Sequence, residues 1–278
     1  MEMNSPNATE LIHVALAEDI GGGDITTLAT IPAASRAEGR IVAKATGVLS
    51  GLEVAQAVFH AVDATLHWRG MRHDGDAIVA GDTLATLHGR TRSILSAERT
   101  ALNFLQRLSG IASLTRRFVD AVAGTPAKIL DTRKTTPGWR ELEKYAVVCG
   151  GGGNHRHGLY DRYLIKSNHT NLCGGLQAAL ACVEQQRVAG FLVEVEVRTL
   201  DELRTVLPHA VDIVMLDNCS PETVAQAVAL AAGRVQLEVS GGITLDNIRA
   251  YAATGVDFIS IGALTHSAPA LDLHLVVE

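Results

Sequence analysis

From residue 128 onward the chain repeats one pattern: a short apolar run, a polar loop and a helical segment. Apolar runs of strand length lie at residues 128–130, 163–165, 191–197, 213–216, 235–239 and 258–261. Helical segments follow most of them, at residues 139–146, 176–188, 200–207, 221–232 and 245–253. Such alternation predicts a parallel sheet of βαβ units. Six strands are fewer than the eight of a complete barrel, so we favour an incomplete barrel over a doubly wound open sheet.

The first third of the chain has a different pattern. Helical spacing of apolar residues occurs at residues 8–17 and 52–62, and strand-like runs lie at 40–48, 65–68, 77–79 and 83–87. These segments predict a mostly antiparallel sheet with one or two helices packed against it. A long helical region follows at residues 93–123.

Polar or glycine residues lie at or near the ends of all six predicted strands of the repeated part. They are Asp131, Arg133, Lys134, Lys166, Asn168, Glu194, Glu196, Asp217, Asn218, Ser240, Gly241, Gly242 and Gly262. The carboxyl ends of parallel strands form the ligand face of α/β folds, so these residues predict one polar mouth. Its last two turns, SGGITLDN and SIGALTHS, favour a phosphate held by backbone N–H groups.

Residues 129–171 are cationic within an acidic chain. They hold seven Lys or Arg and four acidic residues, whereas the whole chain has a formal charge of -6. This local excess predicts a small, strongly anionic ligand, and we expect the active site here. The glycine run 150–153 would let the backbone approach that ligand or bend.

Composition excludes several classes of protein. The net charge of -6 argues against a nucleic-acid binder. The four cysteines have no metal-finger spacing, the N-terminus lacks the features of a signal peptide, and no apolar run is long enough to span a membrane. We therefore expect a soluble, cytoplasmic protein with reduced thiols.

Two features leave alternatives open. Glu98 and Arg99 form either a solvated pair at a helix edge or an arginine presented to an anion across a domain or subunit boundary. His155, His157 and His169 are zinc ligands by residue type, but their spacing matches no zinc motif and disfavours such a site.

Seven motifs in order resemble the quinolinate phosphoribosyltransferases, the decarboxylating enzymes of NAD biosynthesis. They are AERTALNFLQRLSGIAS, ILDTRKTTPGWRELEKYAV, CGGGGNHRHGLYDRYLIKSNH, VEVEVRTL, IVMLDN, SGGITLDNI and ISIGALTHSAPALD. The resemblance implies a pentosyltransferase that joins quinolinate to phosphoribosyl pyrophosphate with Mg²⁺, giving nicotinate mononucleotide, pyrophosphate and CO₂.

The resemblance also implies a fold and an assembly. The fold would be an N-terminal α/β sandwich plus an incomplete α/β barrel of six to seven strands, as in type II phosphoribosyltransferases. We expect the sandwich at residues 1–108 with the tail 267–278, and the barrel at 109–266. The assembly would be a homodimer or larger, such as a hexamer, with the sandwich of one subunit closing over the barrel mouth of another.

Site residues carry over by motif. The resemblance implies that quinolinate is bound by Arg99 (from the neighbouring subunit), Arg133, His155, Arg156 and Lys166. Catalysis at the ribose would involve Lys134, Glu196 and Asp217, with Glu196 and Asp217 also serving Mg²⁺. The phosphoribosyl group and its phosphates would be held by Thr132, Lys134, Glu196, Asp217, Ser240, Gly241, Gly242, Ser260 and Gly262.

Trp139, Val148 and Ser167 depart from the family pattern. They touch none of the ligands carried over by motif, so we expect altered packing or loop charge rather than altered chemistry. Two other functions remain: a related phosphoribosyltransferase-like protein of molybdenum transport, and a non-catalytic sensor of phosphorylated ligands. The complete dicarboxylate set disfavours the first, and intact Glu196 and Asp217 disfavour the second.

Overall fold

The structure is a computed structural model that describes residues 6–278. The N-terminal stretch that lacks the features of a signal peptide begins with residues 1–5, which lie outside the described residues. The chain forms two compact units. The first comprises the chain up to Arg116 with Thr135–Gly151 and Ala263–Glu278, and the second comprises Arg117–Lys134 and Gly152–Gly262.

Helices and strands follow one another in this order: α1 Pro6–Ile20, α2 Ile25–Thr30, β1 Arg36–Ala43, β2 Gly47–Val48, α3 Leu52–Val62, β3 His67–Gly70, β4 Ala77–Ile78, β5 Thr83–Arg90, α4 Thr91–Ala121, β6 Lys128–Leu130, α5 Arg140–Cys149, β7 Tyr163–Ile165, α6 Ser167–Cys173, α7 Leu176–Gln186, β8 Val193–Val197, α8 Leu200–Val206, β9 Ile213–Asp217, α9 Pro221–Ala231, β10 Gln236–Ser240, α10 Ile248–Ala252, β11 Phe258–Ser260, α11 Ala263–His266 and β12 Leu273–Val277. None of the described helices is both long and apolar enough to span a membrane.

The first unit contains the predicted antiparallel sheet. Its strands lie in the order β12-β1-β5-β3, and β2 pairs separately with β4. The single strand predicted at residues 40–48 is two strands, because the chain leaves the sheet after Ala43 and Lys44 N donates instead to Asp272 O, at 2.9 Å.

The second unit contains all six predicted parallel strands. They lie in the order β6-β11-β10-β9-β8-β7, so the first strand of the series pairs with the last. An order in which the first strand pairs with the last is typical of a barrel. In a doubly wound sheet, the order of the strands instead reverses near the middle of the sheet. Between β6 and β7 no strand pairing occurs within residues 6–278, which fits an incomplete barrel.

The glycine run allows close packing and a bend of the backbone. A Cβ on Gly150 would lie 2.5 Å from both Ala112 O and Thr115 Cβ, so glycine allows close packing on α4. Gly153 forms a parallel bridge with Leu130 and extends the pairing of β6. Neither glycine lines the main polar cavity described below. Gly151, with a φ of 89°, provides the bend that was the other expectation for this run.

We expect Gly150→Ala to lower the free energy of unfolding by about 1–3 kcal/mol, because the added methyl group meets a helix backbone that cannot yield easily. Gly22→Ala is the matched control, since nothing lies within 4 Å of a Cβ at that position. Urea denaturation of both variants measures the effect. Equal stability of the two variants would contradict close packing at Gly150.

Helix α6 is not predicted by any apolar pattern. It buries no residue, so it has no periodic apolar face to be recognised. Local polar contacts define its ends instead: Lys166 N donates to His169 Nδ1 at 2.9 Å, and Gly174 follows the helix with a φ of 90°. A glycine at this left-handed position is a common helix terminator.

Candidate active site

The carboxyl ends of the parallel strands meet at one polar cavity in the second unit. Ser240 at the end of β10 pairs with Asp217 of β9 on one side and Ser260 of β11 on the other. The cavity has a volume of about 510 Å³ and is lined by Thr132, Arg133, Lys134, His155, Arg156, Leu164, Lys166, Glu196, Met215, Asp217, Asn218, Ser240, Gly241, Gly242 and Ser260. The predicted polar mouth is thus present.

All predicted site residues except Arg99 and Gly262 line this cavity. Gly262 directly follows Ile261, whose backbone N donates to Leu130 O at 2.9 Å. Arg99 lies on α4 in the first unit with an exposed side chain. The roles given to these residues by the family resemblance stay predictions.

One side of the cavity is strongly cationic. Burial, and then the nearby positive charge of Arg133, lowers the pKa of the Arg156 guanidinium. Lys166 adds a third cation at the end of β7. Cations that repel one another around a cavity bind an anion well, because the anion relieves the repulsion, and a guanidinium pairs a carboxylate through two hydrogen bonds.

Carboxylates line the same cavity beside these cations. Glu196 Oε2 lies 3.5 Å from Lys166 Nζ, and Asp217 Oδ2 lies 3.3 Å from Arg198 Nε. Both acidic side chains keep a small exposed fraction, 9% for Glu196 and 18% for Asp217, so each has oxygen available to a ligand. Carboxylates at the edge of a cationic cavity can bind hydroxyl groups or a hard cation.

The turn after β10 is built for close backbone approach. Gly241 and Gly242 have φ angles of 97° and 63°, where other residues are strained. A Cβ on Gly241 would also lie 2.3 Å from Asn218 Oδ1. Asn218 donates from Nδ2 to Asp217 Oδ1 at 2.9 Å. The glycines therefore let Asn218 pack beneath the turn while backbone groups face the cavity.

Buried acids hold the segment that carries His155 and Arg156. Asp131 Oδ1 accepts from His155 N at 2.9 Å, and His155 Nε2 lies 3.1 Å from Glu194 Oε2. Glu194 also accepts from Arg162 Nη1 at 3.0 Å. Burial alone raises the pKa of Glu194, but the hydrogen bond and charge of His155 together with Arg162 bring it below its ordinary value.

Asp131, Glu194 and Asn218 were predicted to lie at the polar mouth without a specific role, and Glu238 was not predicted to have one. Glu238 could have been noticed, because it is a charged residue inside an apolar strand. Glu194 and Glu196 are two residues apart on β8 and share a strand face, yet only Glu196 lines the cavity, while the side chain of Glu194 is fully buried. The two residues differ in their position along β8, because Glu196 lies nearer the carboxyl end of the strand, where the cavity is.

One further expectation is corrected. Ser167 contacts a predicted ligand after all, because its backbone N lies 3.5 Å from Glu196 Oε1, although any residue supplies that atom. Within residues 6–278, His157 and His169 join His155 in no group of potential metal ligands. Trp139 affects packing as expected: its ring stacks on Phe104 with a centroid distance of 4.6 Å. Val148 is half-exposed on α5.

A second cavity in the same unit, about 610 Å³, is larger but less suited to chemistry. It shares Arg156 and Leu164 with the polar cavity, yet its wall is largely apolar and includes no carboxylate. Of these two cavities, only the first combines several cations, carboxylates and a glycine turn. A parallel α/β unit with such a cavity at its strand ends defines an enzyme of small, multiply charged anions.

Comparison with known protein families narrows this class. Residues 24–109 match the model described as quinolinate phosphoribosyl transferase, N-terminal domain, and residues 111–276 match the corresponding C-terminal domain. The chain belongs to the quinolinate phosphoribosyltransferase family.

Individual relatives are similar to this chain over most of its length. A Bacillus subtilis protein named probable nicotinate-nucleotide pyrophosphorylase [carboxylating] is 43% identical over 99% of this chain and 95% of its own. A chloroplastic protein of the same name from Arabidopsis thaliana is 42% identical over 96% of this chain and 82% of its own. The crystal structure of NadC from Streptococcus pyogenes superposes with a TM-score of 0.95 at 40% identity, covering 100% of this chain and 99% of that one.

Proposed function

We propose that this chain transfers the phosphoribosyl group of phosphoribosyl pyrophosphate to quinolinate. The products are nicotinate mononucleotide, pyrophosphate and CO₂, a step of de novo NAD biosynthesis. The observation that carries the proposal is the cavity that is lined both by the cations Arg133, Arg156 and Lys166 and by the carboxylates Glu196 and Asp217. Its family membership and its relatives' names agree with this activity.

The cationic side of the cavity suits quinolinate. Quinolinate carries two adjacent carboxylates, which Arg133 and Arg156 can pair through charge-assisted hydrogen bonds while Lys166 supplies a further positive charge. His155 lines the same wall. In this proposal Arg99 of a second subunit completes the pocket, which makes the enzyme at least a homodimer.

The acidic and glycine-rich parts suit phosphoribosyl pyrophosphate. The ribose C1 gains positive charge as pyrophosphate leaves, and Glu196 and Asp217 are placed to stabilise it electrostatically. Lys134 and Thr132 would hold phosphate oxygens. Ser240, Gly241, Gly242, Ser260 and Gly262 would bind the 5′-phosphate, because the two glycines open the turn after β10 to the cavity.

The donor set fits Mg²⁺. Glu196 and Asp217 offer hard oxygen ligands, but two carboxylates are too few for a full Mg²⁺ shell, so the substrate and water would supply the remaining ligands. When bound, the ion would neutralise charge on the pyrophosphate. The chain's own residues orient the two substrates and balance their charges.

Loss of CO₂ needs no further group from the chain. Once the ribose is attached, the pyridinium ring is cationic, so its nitrogen stabilises the electron pair that stays on C2 when CO₂ leaves, and a proton then binds to C2. We also propose a cytoplasmic location, which the four free cysteines Cys149, Cys173, Cys182 and Cys219 support, since disulfides are uncommon in that compartment.

The decisive experiment gives the purified chain quinolinate, phosphoribosyl pyrophosphate and Mg²⁺. We expect release of CO₂ and formation of nicotinate mononucleotide, measured by trapping of ¹⁴CO₂ and by chromatography. Omission of Mg²⁺ in the presence of a chelator should abolish the product. Formation of product from nicotinate, with none from quinolinate, would overturn the proposal.

A further inference from the structure

Beneath the cationic wall lies a fully buried pair of acids around His155. His155 Nε2 is 3.1 Å from Glu194 Oε2 and 3.5 Å from Glu238 Oε1. The side chains of both glutamates are fully buried, and neither lines the cavity, whereas His155 does. Two buried carboxylates that face one imidazole need either a proton or a cation between them, because an unpaired buried charge is costly.

The hydrogen bonds of His155 locate its own proton. Its Nδ1 accepts from Arg156 N at 2.7 Å, so the ring proton belongs on Nε2, which faces the two acids. That single N–H forms its hydrogen bond with Glu194, which Arg162 also supports at 3.0 Å. Both oxygens of Glu238 are buried without a hydrogen-bond partner in the part of the chain that is described.

A proton on Glu238 would remove the repulsion between the two buried carboxylates. Burial, and then the negative charge of Glu194, raises the pKa of Glu238 to about 7, against an ordinary value of 4.5. The other groups that face it are His155, Arg162 and the Ser260 hydroxyl on β11, and each of them lowers its pKa. These opposing influences are weaker than burial and like charge. At pH 7 the neutral acid is therefore present in about half of the molecules, and it predominates at lower pH.

A metal ion is the competing explanation. The ligand atoms of His155, Glu194 and Glu238 lie within 4.8 Å of one another, which is close enough to hold one. However, an ion there would place its charge beside the Arg162 guanidinium, which already pairs Glu194 at 3.0 Å. A proton on Glu238 removes its negative charge without adding this repulsion. We therefore favour a proton over a metal ion.

We propose that Glu238, as a neutral acid, and Glu194, as its charged neighbour, are positioning residues that hold His155 in the wall of the dicarboxylate pocket and Arg162 beneath it. Their effect reaches the substrate through Arg156, because Arg156 Nη1 donates to Arg162 O at 3.3 Å and its backbone N donates to His155. Loss of the Glu238 proton would add negative charge below a site for an anion. This inference rests on the proposed function for its substrate.

The first test compares Glu238→Gln with the wild type, because glutamine copies the neutral acid in shape. We expect the KM for quinolinate of the wild type to rise about tenfold as the pH increases from about 6 to 8.5, and that of Glu238→Gln to rise much less. The KM for phosphoribosyl pyrophosphate should change equally in both. Glu222→Gln, at an exposed position on α9, is the matched control and should behave as the wild type. An unchanged rise in Glu238→Gln overturns the proposal.

The second test needs no substrate. A carboxyl whose pKa is raised on folding contributes stability below its unfolded value of 4.5 that is lost as the pH rises to about 7. We therefore expect Glu238→Gln to match the wild type in urea denaturation near pH 5 and to be more stable above about pH 7. A pH-independent difference between the two proteins overturns the proposal. If the wild type has no turnover of quinolinate, the proposed function fails while this test still applies.

The third test uses only the wild-type protein, in case the variant does not fold. Calorimetric titration with quinolinate near pH 7.5, in buffers of different ionisation heat, should show uptake of a fraction of a proton per site as Glu238 regains its proton. No uptake contradicts the proposal. One equivalent of tightly bound metal in the wild type, absent from Glu238→Gln, would also overturn it in favour of a metal site.

Discussion

Arg133→Ala is expected to lower kcat/KM for quinolinate by about a hundredfold to several thousandfold, because it leaves a substrate carboxylate unpaired, a loss of about 3–5 kcal/mol. The fold should not suffer. Arg133 raises the electrostatic cost of the neighbouring Arg156 guanidinium, so its removal relieves repulsion. Steady-state assays with varied quinolinate, alongside urea denaturation, measure the two effects separately.

Two companion variants sharpen this experiment. Arg133→Lys keeps the charge but loses the planar fork, so its activity should lie between those of the wild type and Arg133→Ala. Arg204→Ala removes an exposed arginine on α8 and should retain full activity. Retention of wild-type kcat/KM by Arg133→Ala would contradict the proposed quinolinate pocket.

Glu143→Ala should produce the largest loss of stability, about 3–5 kcal/mol of the free energy of unfolding, because it breaks a buried ion pair from one side. The fully buried Glu143 side chain accepts hydrogen bonds from Arg107 Nη2 at 3.0 Å and from Thr136 N at 3.0 Å. Without it, the partly buried guanidinium of Arg107 loses its counter-charge. Urea denaturation followed by circular dichroism measures the change.

Thr136→Ala is the matched control for this prediction. It removes the hydroxyl that donates to Glu143 Oε1 at 2.8 Å, together with the methyl group of an exposed residue, and leaves the charge of Glu143 in place, so we expect a loss of about 1 kcal/mol. Similar losses in both variants would mean that the charge of Glu143 matters no more than one neutral hydrogen bond.

The position of Glu143 illustrates what the sequence can reveal. It lies inside the cationic stretch 129–171, where composition and motif predict a ligand site. In the structure, only the ends of that stretch line the cavity, while Thr135–Gly151 belongs to the first unit. Charge counting cannot distinguish a residue that binds a ligand from one that binds a neighbouring helix, because both uses favour the same residue types.

The cavity itself was predictable for a physical reason. Parallel strands place their carboxyl ends on one edge, so Lys166, Asp217 and Ser240 could be brought together before any coordinates existed. The meeting of buried side chains from different strands below the cavity was not predictable. Glu194 and Glu238 lie on β8 and β10, separated in the sheet by β9, and only the packed structure shows that both reach His155.

Glycine was the residue whose role was hardest to predict from the sequence. Gly241 is required by its φ of 97°, whereas Gly150 has an ordinary helical φ of -71° and is required by the neighbouring α4. A run of four glycines looks the same in either case. Only contacts decide whether a missing side chain makes room for a ligand or for the protein.

The pairing of β1 with β12 has a consequence for synthesis of the protein. Ile41 pairs with Leu275, and the whole second unit is encoded between them. While the ribosome is still making that unit, β1 has an unpaired edge able to join another chain. The N-terminal part therefore cannot complete its sheet first, as N-terminal domains commonly do. Chaperone demand should be greatest late in translation and should end when β12 emerges.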